Sequence, residues 1–247
     1  MTPDADDVAK WLLGPVLLWQ GRRVRATALR LPEAAGERSR DGGALRLLIV
    51  GDSSAAGVGA AHQQEALAGR LAQALATRLG QPVGWQLVAV SGHRSSQALA
   101  HLQTTELAPA DVLITALGVN DVVDQVPPHE ALAALQAIDA LVRERAGVRL
   151  SLHCAAPPMH RFTLLPQPLR WFFGRQAAAF NAALALAVAG QPGRHVVTMP
   201  AAWQREAHTL LAADGFHPGP RGYALWAEAL ADQVTAGLDL PSRSMAT

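Results

Sequence analysis

The chain has 247 residues, half of them hydrophobic, which is enough to build a sizeable core without disulfides or a structural metal. Its 21 basic and 20 acidic residues nearly cancel, so the sequence offers no basic footprint for nucleic acid and we expect no such partner. The single cysteine, Cys154, excludes an internal disulfide and a multi-cysteine zinc site, and we expect it to be a small core residue.

The N-terminal segment carries an apolar stretch at residues 11–19 that is too short to span a bilayer as a helix. Acidic residues precede it and arginines follow it, which reverses the charge order of a secretory signal peptide. We therefore expect the segment to be retained and to pack on the main domain, with a peripheral membrane contact through residues 11–19 as the alternative. The sequence favours a cytoplasmic protein and leaves membrane association and secretion open.

The main domain shows a regular alternation of short apolar runs and longer helical stretches. Residues 32–44 are rich in Gly, Glu, Arg and Asp and are predicted to be a linker, so we divide the chain into a segment over residues 1–44, a domain over residues 45–240 and a tail over residues 241–247. Each apolar run is bounded by turn residues, as is typical of strands buried on both faces, and the stretches between them have apolar residues at helical spacing. The predicted strands are residues 45–50, 85–90, 112–117, 148–154 and 195–199, and the predicted helices are residues 63–79, 96–107, 129–146, 169–189 and 218–238.

Strands that alternate with helices predict a parallel sheet covered by helices on both faces. In such a sheet, ligands bind beyond the carboxyl ends of the strands, so the residues after each predicted strand are candidates for a site. Three of these strand ends, and the loop before the last helix, carry small polar residues and glycines. They read Gly51-Asp52-Ser53, Ser91-Gly92-His93, Gly118-Val119-Asn120-Asp121 and Asp214-Gly215-Phe216-His217.

These residue types fit acyl transfer through a serine nucleophile. A serine hydroxyl needs a neighbouring base, commonly histidine, and a third group that orients the base. Asp214 and His217 are three residues apart, which lets the carboxylate reach Nδ1 of the imidazole while Nε2 faces outward to meet Ser53. The Asn120 amide and the backbone N–H groups of Gly92 and Ser53 are candidate donors to an oxyanion.

In order and spacing, the four blocks resemble those of the SGNH (GDSL-like) hydrolase family, whose named residues are Ser, Gly, Asn and His. The resemblance covers residues 45–238 and implies a flavodoxin-like three-layer α/β/α sandwich, for which we expect a central sheet of five parallel strands. It also implies a serine esterase with Ser53, Asp214 and His217 as catalytic triad and with Ser53, Gly92 and Asn120 as oxyanion hole. No cofactor and no metal are expected.

Residues 162–173 hold three of the five phenylalanines and follow the fourth predicted strand, so they border the same edge. They predict an apolar wall for an acyl chain or, equally, a helix start packed on the core. The expected partner is a small-molecule ester, either a simple one or one with an acyl chain, such as a lysophospholipid. The candidate substrate-binding residues are His93, Phe162, Leu165 and Phe216.

Three alternative functions remain open at this point. A carbohydrate O-deacetylase and a thioesterase would use the same residues, although the single tyrosine, Tyr223, offers little aromatic surface for a sugar. A flavodoxin-like phosphate-binding module would use residues 51–59 as a phosphate loop. That stretch lacks both the G-x-G-x-x-G pattern and a Gly-Lys-Ser/Thr ending, and a phosphate loop leaves Asn120, Asp214 and His217 unexplained.

Overall fold

The structure is a computed structural model that describes residues 5–240, with side chains from residue 12 onward. The predicted tail, residues 241–247, and the Trp11 side chain lie outside the described residues. The strands are β1 Ser39–Arg40, β2 Leu45–Gly51, β3 Val83–Ala89, β4 Val112–Ala116, β5 Leu150–Cys154 and β6 Arg194–Val197. The α-helices are α1 Ala5–Thr27, α2 Leu67–Leu79, α3 Ser95–Thr104, α4 Val119–Val123, α5 Pro128–Ala146, α6 Leu169–Val188, α7 Ala202–Arg205, α8 Ala207–Leu210 and α9 Pro220–Gly237.

The strands form one sheet in the order β1-β3-β2-β4-β5-β6. Strands β2 to β6 are parallel, so their carboxyl ends meet at one edge, and this edge carries the candidate residues. β1 pairs with β3 in the antiparallel direction. The expected count of five strands was therefore one too low. The additional strand lies in the predicted linker, and both of its residues are exposed, so no apolar run marks it in the sequence.

Helices cover both faces of the sheet, which confirms the predicted α/β/α sandwich. Alternate residues of a strand point to opposite faces. Leu47 and Ile49 of β2 accordingly belong to the core shared with α2 and α9. Their neighbours Leu48 and Val50 belong to the core shared with α3, α5 and α6. The central strands are thus buried on both sides, as their mostly apolar runs predict.

The N-terminal helix α1 packs on the second of these cores. Leu17 is buried there, and Val24 packs against the same cluster. The Gln20 side chain joins α1 to the start of α6: its Nε2 donates to the carbonyl oxygen of Gln167 at 2.7 Å, and its Oε1 accepts from the N–H of Leu169 at 3.1 Å. Among the described helices, none combines the length and the apolar character needed to cross a bilayer.

Candidate active site

One serine, one histidine and one aspartate form a continuous hydrogen-bonded chain at the carboxyl edge of the sheet. Ser53 lies in the turn after β2, and its Oγ is 2.8 Å from Nε2 of His217. Nδ1 of His217 is 2.6 Å from Oδ2 of Asp214, in the loop before α9. When the proton of the neutral imidazole is assigned to Nδ1, facing the carboxylate, Nε2 is the acceptor for the serine hydroxyl. The structure thus brings together the three residues that the sequence analysis singled out.

The Asp214 carboxylate is buried and surrounded by hydrogen-bond donors. Its Oδ1 accepts from the backbone N–H groups of Phe216 and His217, both at 3.0 Å. Burial raises the pKa of Asp214, but hydrogen bonds from the His217 side chain and from these N–H groups outweigh it, and the pKa lies below the usual value for aspartate. The carboxylate is therefore held ionised, where it orients the imidazole and stabilises its protonated form.

Close packing at Gly215 holds the loop that carries Asp214 and His217. Gly215 has a φ of +67°, and a Cβ built there would lie 2.4 Å from Oγ1 of Thr163 and 2.9 Å from the backbone nitrogen of Leu164. The N–H of Leu164 donates to the carbonyl oxygen of Gly215 at 3.1 Å. The loop before α9 is thereby fixed to the segment that was predicted to form an apolar wall.

Asp52 shapes the turn on which Ser53 lies. Its Oδ1 accepts from the backbone N–H and the hydroxyl of Ser54, at 2.9 Å and 2.8 Å, and its Oδ2 accepts from Nδ2 of Asn120 at 3.1 Å. Burial raises the pKa of Asp52, and the hydrogen bonds from Ser54 compensate only in part. Asp52 thus connects the turn after β2 to the short helix α4.

Two backbone N–H groups at the site have no acceptor within the part of the chain that the structure describes, namely those of Ser53 and Gly92. Gly92 has a φ of +84°, and a Cβ built at this position would meet no atom within 4 Å. The backbone of Gly92 is therefore open to its surroundings. Both N–H groups are available to donate to a substrate oxygen, as an oxyanion hole requires.

The Asn120 amide is already engaged within the protein. Its Nδ2 donates to Oδ2 of Asp52 at 3.1 Å and to the carbonyl oxygen of His93 at 3.0 Å. Both amide hydrogens are thereby used, so one of these bonds has to be given up before the amide can donate to an oxyanion. Asn120 lines the same cavity as Ser53 and Gly92, so the three predicted donors share one space.

That space is an open cleft of about 980 Å³, near the upper end of the range for small-molecule sites. We call it the large cleft. Besides Ser53, Asn120 and His217, buried apolar side chains contribute much of its lining, and such a lining favours the apolar part of a ligand. These apolar residues are Leu17, Leu165, Leu169, Phe172 and Phe173.

A second cavity of about 40 Å³, which we call the small pocket, also adjoins Ser53 and His217. Phe162, Trp203 and Trp226 contribute aromatic rings to its lining. The indole Nε1 of Trp203 is buried with no hydrogen-bond partner in the described part of the protein. The small pocket has room for a methyl-sized group or for ordered water, and for nothing as large as an acyl chain.

The sequence also matches a known protein family. The model of the GDSL-like Lipase/Acylhydrolase family matches residues 49–225. The chain belongs to this family. A GDSL-like esterase from Mycobacterium tuberculosis is 26% identical to it over 232 residues, which cover 85% of this chain and 73% of that protein.

Solved structures of hydrolases share the fold. A lipase from a goat rumen metagenome aligns with a TM-score of 0.61 and 21% identity, over 78% of this chain and 97% of its own. An acetylxylan esterase from Geobacillus stearothermophilus aligns with a TM-score of 0.58 and 17% identity, over 78% of this chain and 95% of its own. The prediction of a GDSL-like, SGNH-type hydrolase that acts on ester bonds is confirmed by the family match. That match removes the case for a phosphate-binding module without activity.

The four predicted substrate-binding residues of this GDSL-like hydrolase occupy different places. Leu165 lines the large cleft, and Phe216 lines both cavities. Phe162 lines the small pocket, with its ring centroid 4.9 Å from that of Phe216. His93 is not among the residues that line either cavity. Its ring lies edge-on to His101 at 5.9 Å, and its carbonyl oxygen is the group that reaches the site, through the bond from the Asn120 amide.

Sequence reasoning missed one wall of the large cleft, which comes from α1 and the residues after it. This part of the chain precedes the family match, so no motif marked it. A signal was nevertheless present, because the cleft-lining residues recur at helical spacing. They are Leu18, Arg22, Arg25 and Leu29. Among the described residues, no group of three or more His, Cys, Asp or Glu is placed to hold a metal ion.

Proposed function

We propose that this GDSL-like hydrolase cleaves carboxylic esters with Ser53 as nucleophile, His217 as general base and acid, and Asp214 as the group that orients His217. One observation carries the proposal: the unbroken series of contacts from Ser53 Oγ to His217 Nε2 at 2.8 Å and from His217 Nδ1 to Asp214 Oδ2 at 2.6 Å. The roles follow from the chemistry of each group.

The reaction proceeds in two half-reactions. Ser53 Oγ attacks the ester carbonyl carbon while its proton moves to Nε2 of His217, and a tetrahedral intermediate forms. His217 then gives this proton to the alcohol oxygen as the carbon–oxygen bond breaks, which leaves an acyl-enzyme on Ser53. Water repeats the sequence: His217 takes its proton, the acyl group leaves as a carboxylic acid, and Ser53 regains its hydrogen.

The oxyanion of each tetrahedral intermediate is assigned to the N–H groups of Ser53 and Gly92 and to the Asn120 amide. The unpartnered state of the two backbone groups supports this assignment. Donors of this kind, aimed where negative charge develops, each lower the barrier by about 3–4 kcal/mol. Asn120 joins them by exchanging one of its bonds, to Asp52 or to the His93 carbonyl, for the bond to substrate.

The substrate we favour is an ester with an apolar acyl chain. Ser53 lines the large cleft together with Leu165, Phe172, Phe173 and Phe216, so an acyl chain that extends from the carbonyl carbon has apolar surface to cover. Burying such a chain contributes about 0.8 kcal/mol for each methylene group. Affinity is therefore expected to rise with chain length until the cleft is filled.

The small pocket supports a second candidate, an ester of acetic acid with a bulky apolar alcohol. Its volume of about 40 Å³ suits a methyl group beside Ser53, and the large cleft would then hold the alcohol. A carbohydrate O-deacetylase is the sugar-directed form of this arrangement, and the apolar lining of the large cleft argues against it. The two candidates differ in the acyl length that they favour.

The first test is hydrolysis of p-nitrophenyl esters from acetate to palmitate by the wild type, Ser53→Ala and Ser54→Ala. We expect activity to vanish in Ser53→Ala and to persist in Ser54→Ala, a matched control that removes the neighbouring hydroxyl. A rise in kcat/KM with acyl length supports the favoured substrate, and a maximum at acetate supports the second candidate. Activity that survives in Ser53→Ala would overturn the assignment of the nucleophile.

A fluorophosphonate probe tests the nucleophile without any choice of ester. The probe reacts with an activated serine hydroxyl, so we expect a single labelled residue, Ser53, when the modified protein is digested and mapped by mass spectrometry. Ser54→Ala should label like the wild type, whereas Ser53→Ala and His217→Ala should not label. Labelling at another serine would move the reactive centre away from this site.

A further inference from the structure

Exposed apolar side chains in this enzyme are concentrated at one place. Eight large hydrophobic side chains are exposed among the described residues. Five of them belong to α1 or to the residues just after it, and a sixth, Trp171, lies near the start of α6, on which α1 packs. The five are Leu12, Val16, Leu18, Trp19 and Leu29.

The helix α1 has separate faces for the core and for solvent. Leu13, Leu17 and Val24 pack toward the core at helical spacing. Leu12, Val16 and Trp19 are likewise spaced three or four residues apart and so share another face of the helix. They remain exposed, with 76%, 44% and 58% of their surface accessible. We call these three residues the outer stripe. One apolar face of α1 thus packs on the core, while a second apolar face is exposed. An exposed apolar face of this kind is typical of a surface that contacts a membrane or another protein.

The charge on the C-terminal side of the outer stripe is positive. Arg22, Arg23, Arg25 and Arg30 follow it, and no acidic residue occurs between Asp7 and Glu33. Arg23 lies over the Trp19 ring, with Cζ 5.4 Å from its centroid, and on α6 Arg175 lies over Trp171 at 5.5 Å.

One acidic group on another element faces this region. Asp124 accepts from Arg25 at 2.9 Å and lies 3.9 Å from Arg94, and all three side chains are exposed to solvent. Together with Asp4, Asp6 and Asp7 ahead of the outer stripe, Asp124 makes four carboxylates against five basic residues in residues 1–31, namely Lys10 and the four arginines. The positive charge is therefore concentrated on the C-terminal side of the outer stripe. Exposed tryptophans and leucines bordered by arginines are the composition of helices that lie in the headgroup layer of anionic membranes.

We propose that α1 docks the enzyme on the surface of an anionic lipid bilayer, with the outer stripe in the headgroup layer and the arginines on lipid phosphates. The position of the cleft supports a lipid over a protein partner. Leu18, Arg22 and Arg25 on α1 line the large cleft together with Ser53, so the docked helix would bring the mouth of the cleft to the lipid surface. An ester with an apolar chain would then enter the cleft directly from the bilayer.

Docking itself does not depend on the proposed catalytic residues; only the delivery of an ester from the bilayer rests on them. The experiment therefore measures binding first. The full chain is mixed with extruded vesicles of phosphatidylcholine alone or with phosphatidylglycerol added, and the bound fraction is determined by sedimentation. We expect binding to the mixed vesicles, weaker binding to phosphatidylcholine, and loss of binding at high salt, which screens the arginines.

Matched variants separate the outer stripe from hydrophobicity in general. We expect the triple variant Leu12→Ser, Val16→Ser, Trp19→Ser to lower the vesicle partition coefficient by about tenfold or more, because three apolar side chains leave the interface. The control, Leu186→Ser with Leu225→Ser, removes two exposed leucines on α6 and α9 and should bind like the wild type. Circular dichroism verifies that both variants fold.

Three results would overturn the proposal. The first is a wild type that does not bind mixed vesicles, and the second is a triple variant that binds them equally well. The third is a wild type that forms dimers in sedimentation velocity while the triple variant is monomeric, since the outer stripe would then contact a second copy. Ser53→Ala should lose hydrolysis and keep vesicle binding, so a failure of docking and a failure of the proposed catalysis remain distinguishable.

Discussion

The carboxylate of Asp52 accepts a hydrogen bond from the side-chain amide of Asn120 at 3.1 Å, although the two residues are 68 positions apart in the chain. The contact joins the turn that carries Ser53 to the helix that carries Asn120. Because Asp52 is buried, with 2% of its surface accessible, water does not compete for this bond. The position of a proposed oxyanion donor is thus set by the residue next to the proposed nucleophile.

Replacing Asn120 by alanine should lower kcat by roughly 10²–10³-fold and change KM little, because its bond to substrate is strongest when the oxyanion forms. Steady-state kinetics on a p-nitrophenyl ester would measure both constants. An unchanged kcat would remove Asn120 from the reaction and leave it a purely structural residue.

Asp52→Asn should act in the same direction through Asn120. The new amide can place an N–H where Asn120 now finds an acceptor, so the two donors repel and Asn120 shifts. We expect kcat to fall by roughly 10- to 100-fold, as small displacements of catalytic groups do, with KM nearly unchanged. Ser54→Ala is the control, since it removes one bond to the same carboxylate and keeps the bond to Asn120. A variant whose KM rises while kcat holds would contradict a positioning role.

Asp214→Asn should keep the fold and lower kcat by on the order of 10⁴-fold, because an amide can donate to Nδ1 of His217 and thereby favour the wrong tautomer. The pKa of Asp214 lies below the usual value, so the wild-type carboxylate stays ionised wherever the enzyme is tested above pH 4. Kinetics at saturating ester, with thermal unfolding as a check on stability, would decide. Wild-type kcat in the variant would exclude Asp214 from orienting the base.

A buried histidine away from the site should make stability depend on pH. His153 in β5 is 3% exposed and its Nδ1 lies 2.9 Å from Oγ1 of Thr115. Burial lowers its pKa from 6.5 to about 4; the Asp139 charge opposes the shift, and two nearby arginines add to it. Between these values the unfolded chain binds a proton that the folded chain does not, so stability is complete above about pH 6.5 and falls as the pH drops toward 4.

The full effect is at most about 3 kcal/mol. Urea unfolding of the wild type and of His153→Gln at pH 7.5 and pH 5 would measure it. The variant should lose less stability than the wild type between these two values. Equal losses in the two proteins would mean that His153 is protonated in the folded protein at pH 5.

Asp139 and Asp214 affect stability in a different pH range. Their pKa values are lowered in the folded protein, so the stability that they contribute is lost only as the pH falls below about 4.

Cys154 should be inert in the native protein. It is the last residue of β5 and is buried, and burial raises the pKa of its thiol to about 12, so almost no thiolate exists at pH 8. We expect no reaction with iodoacetamide in native buffer and complete alkylation in guanidinium chloride. Rapid native labelling would show that the strand end carrying Cys154 opens readily.

The sequence predicted most of the sheet because its central strands are short, mostly apolar runs, as is typical of strands covered on both faces. The predicted ends of helices were less exact where a side chain forms hydrogen bonds with backbone carbonyl groups. The first predicted helix was placed from residue 63, but α2 begins at Leu67. The buried side chain of Gln63 instead donates to the carbonyl oxygens of Ala34 and Ala56, at 3.2 Å and 3.1 Å, and so holds a loop that helix geometry would break.

The proposed catalytic residues could be singled out because each lies next to a strand end or a helix start that the pattern marks. The walls around them could be predicted only in part, because they depend on which distant segments meet. Gln20 and Leu169 are 149 residues apart, and nothing in their local sequence indicates the hydrogen bond between them. The Trp203 and Trp226 rings of the small pocket are likewise brought to Ser53 by the fold alone.

The two hydrogen bonds of Gln20 fix α1, which carries none of the proposed catalytic residues, to the start of α6. The loops at the strand ends carry the proposed catalytic residues, while α1, ahead of the first long strand, supplies one wall of the large cleft. Selectivity can therefore change through replacement of the N-terminal segment, with every reacting group left in place. A relative with the same loops and a different leading helix would perform the same chemistry on a different set of esters.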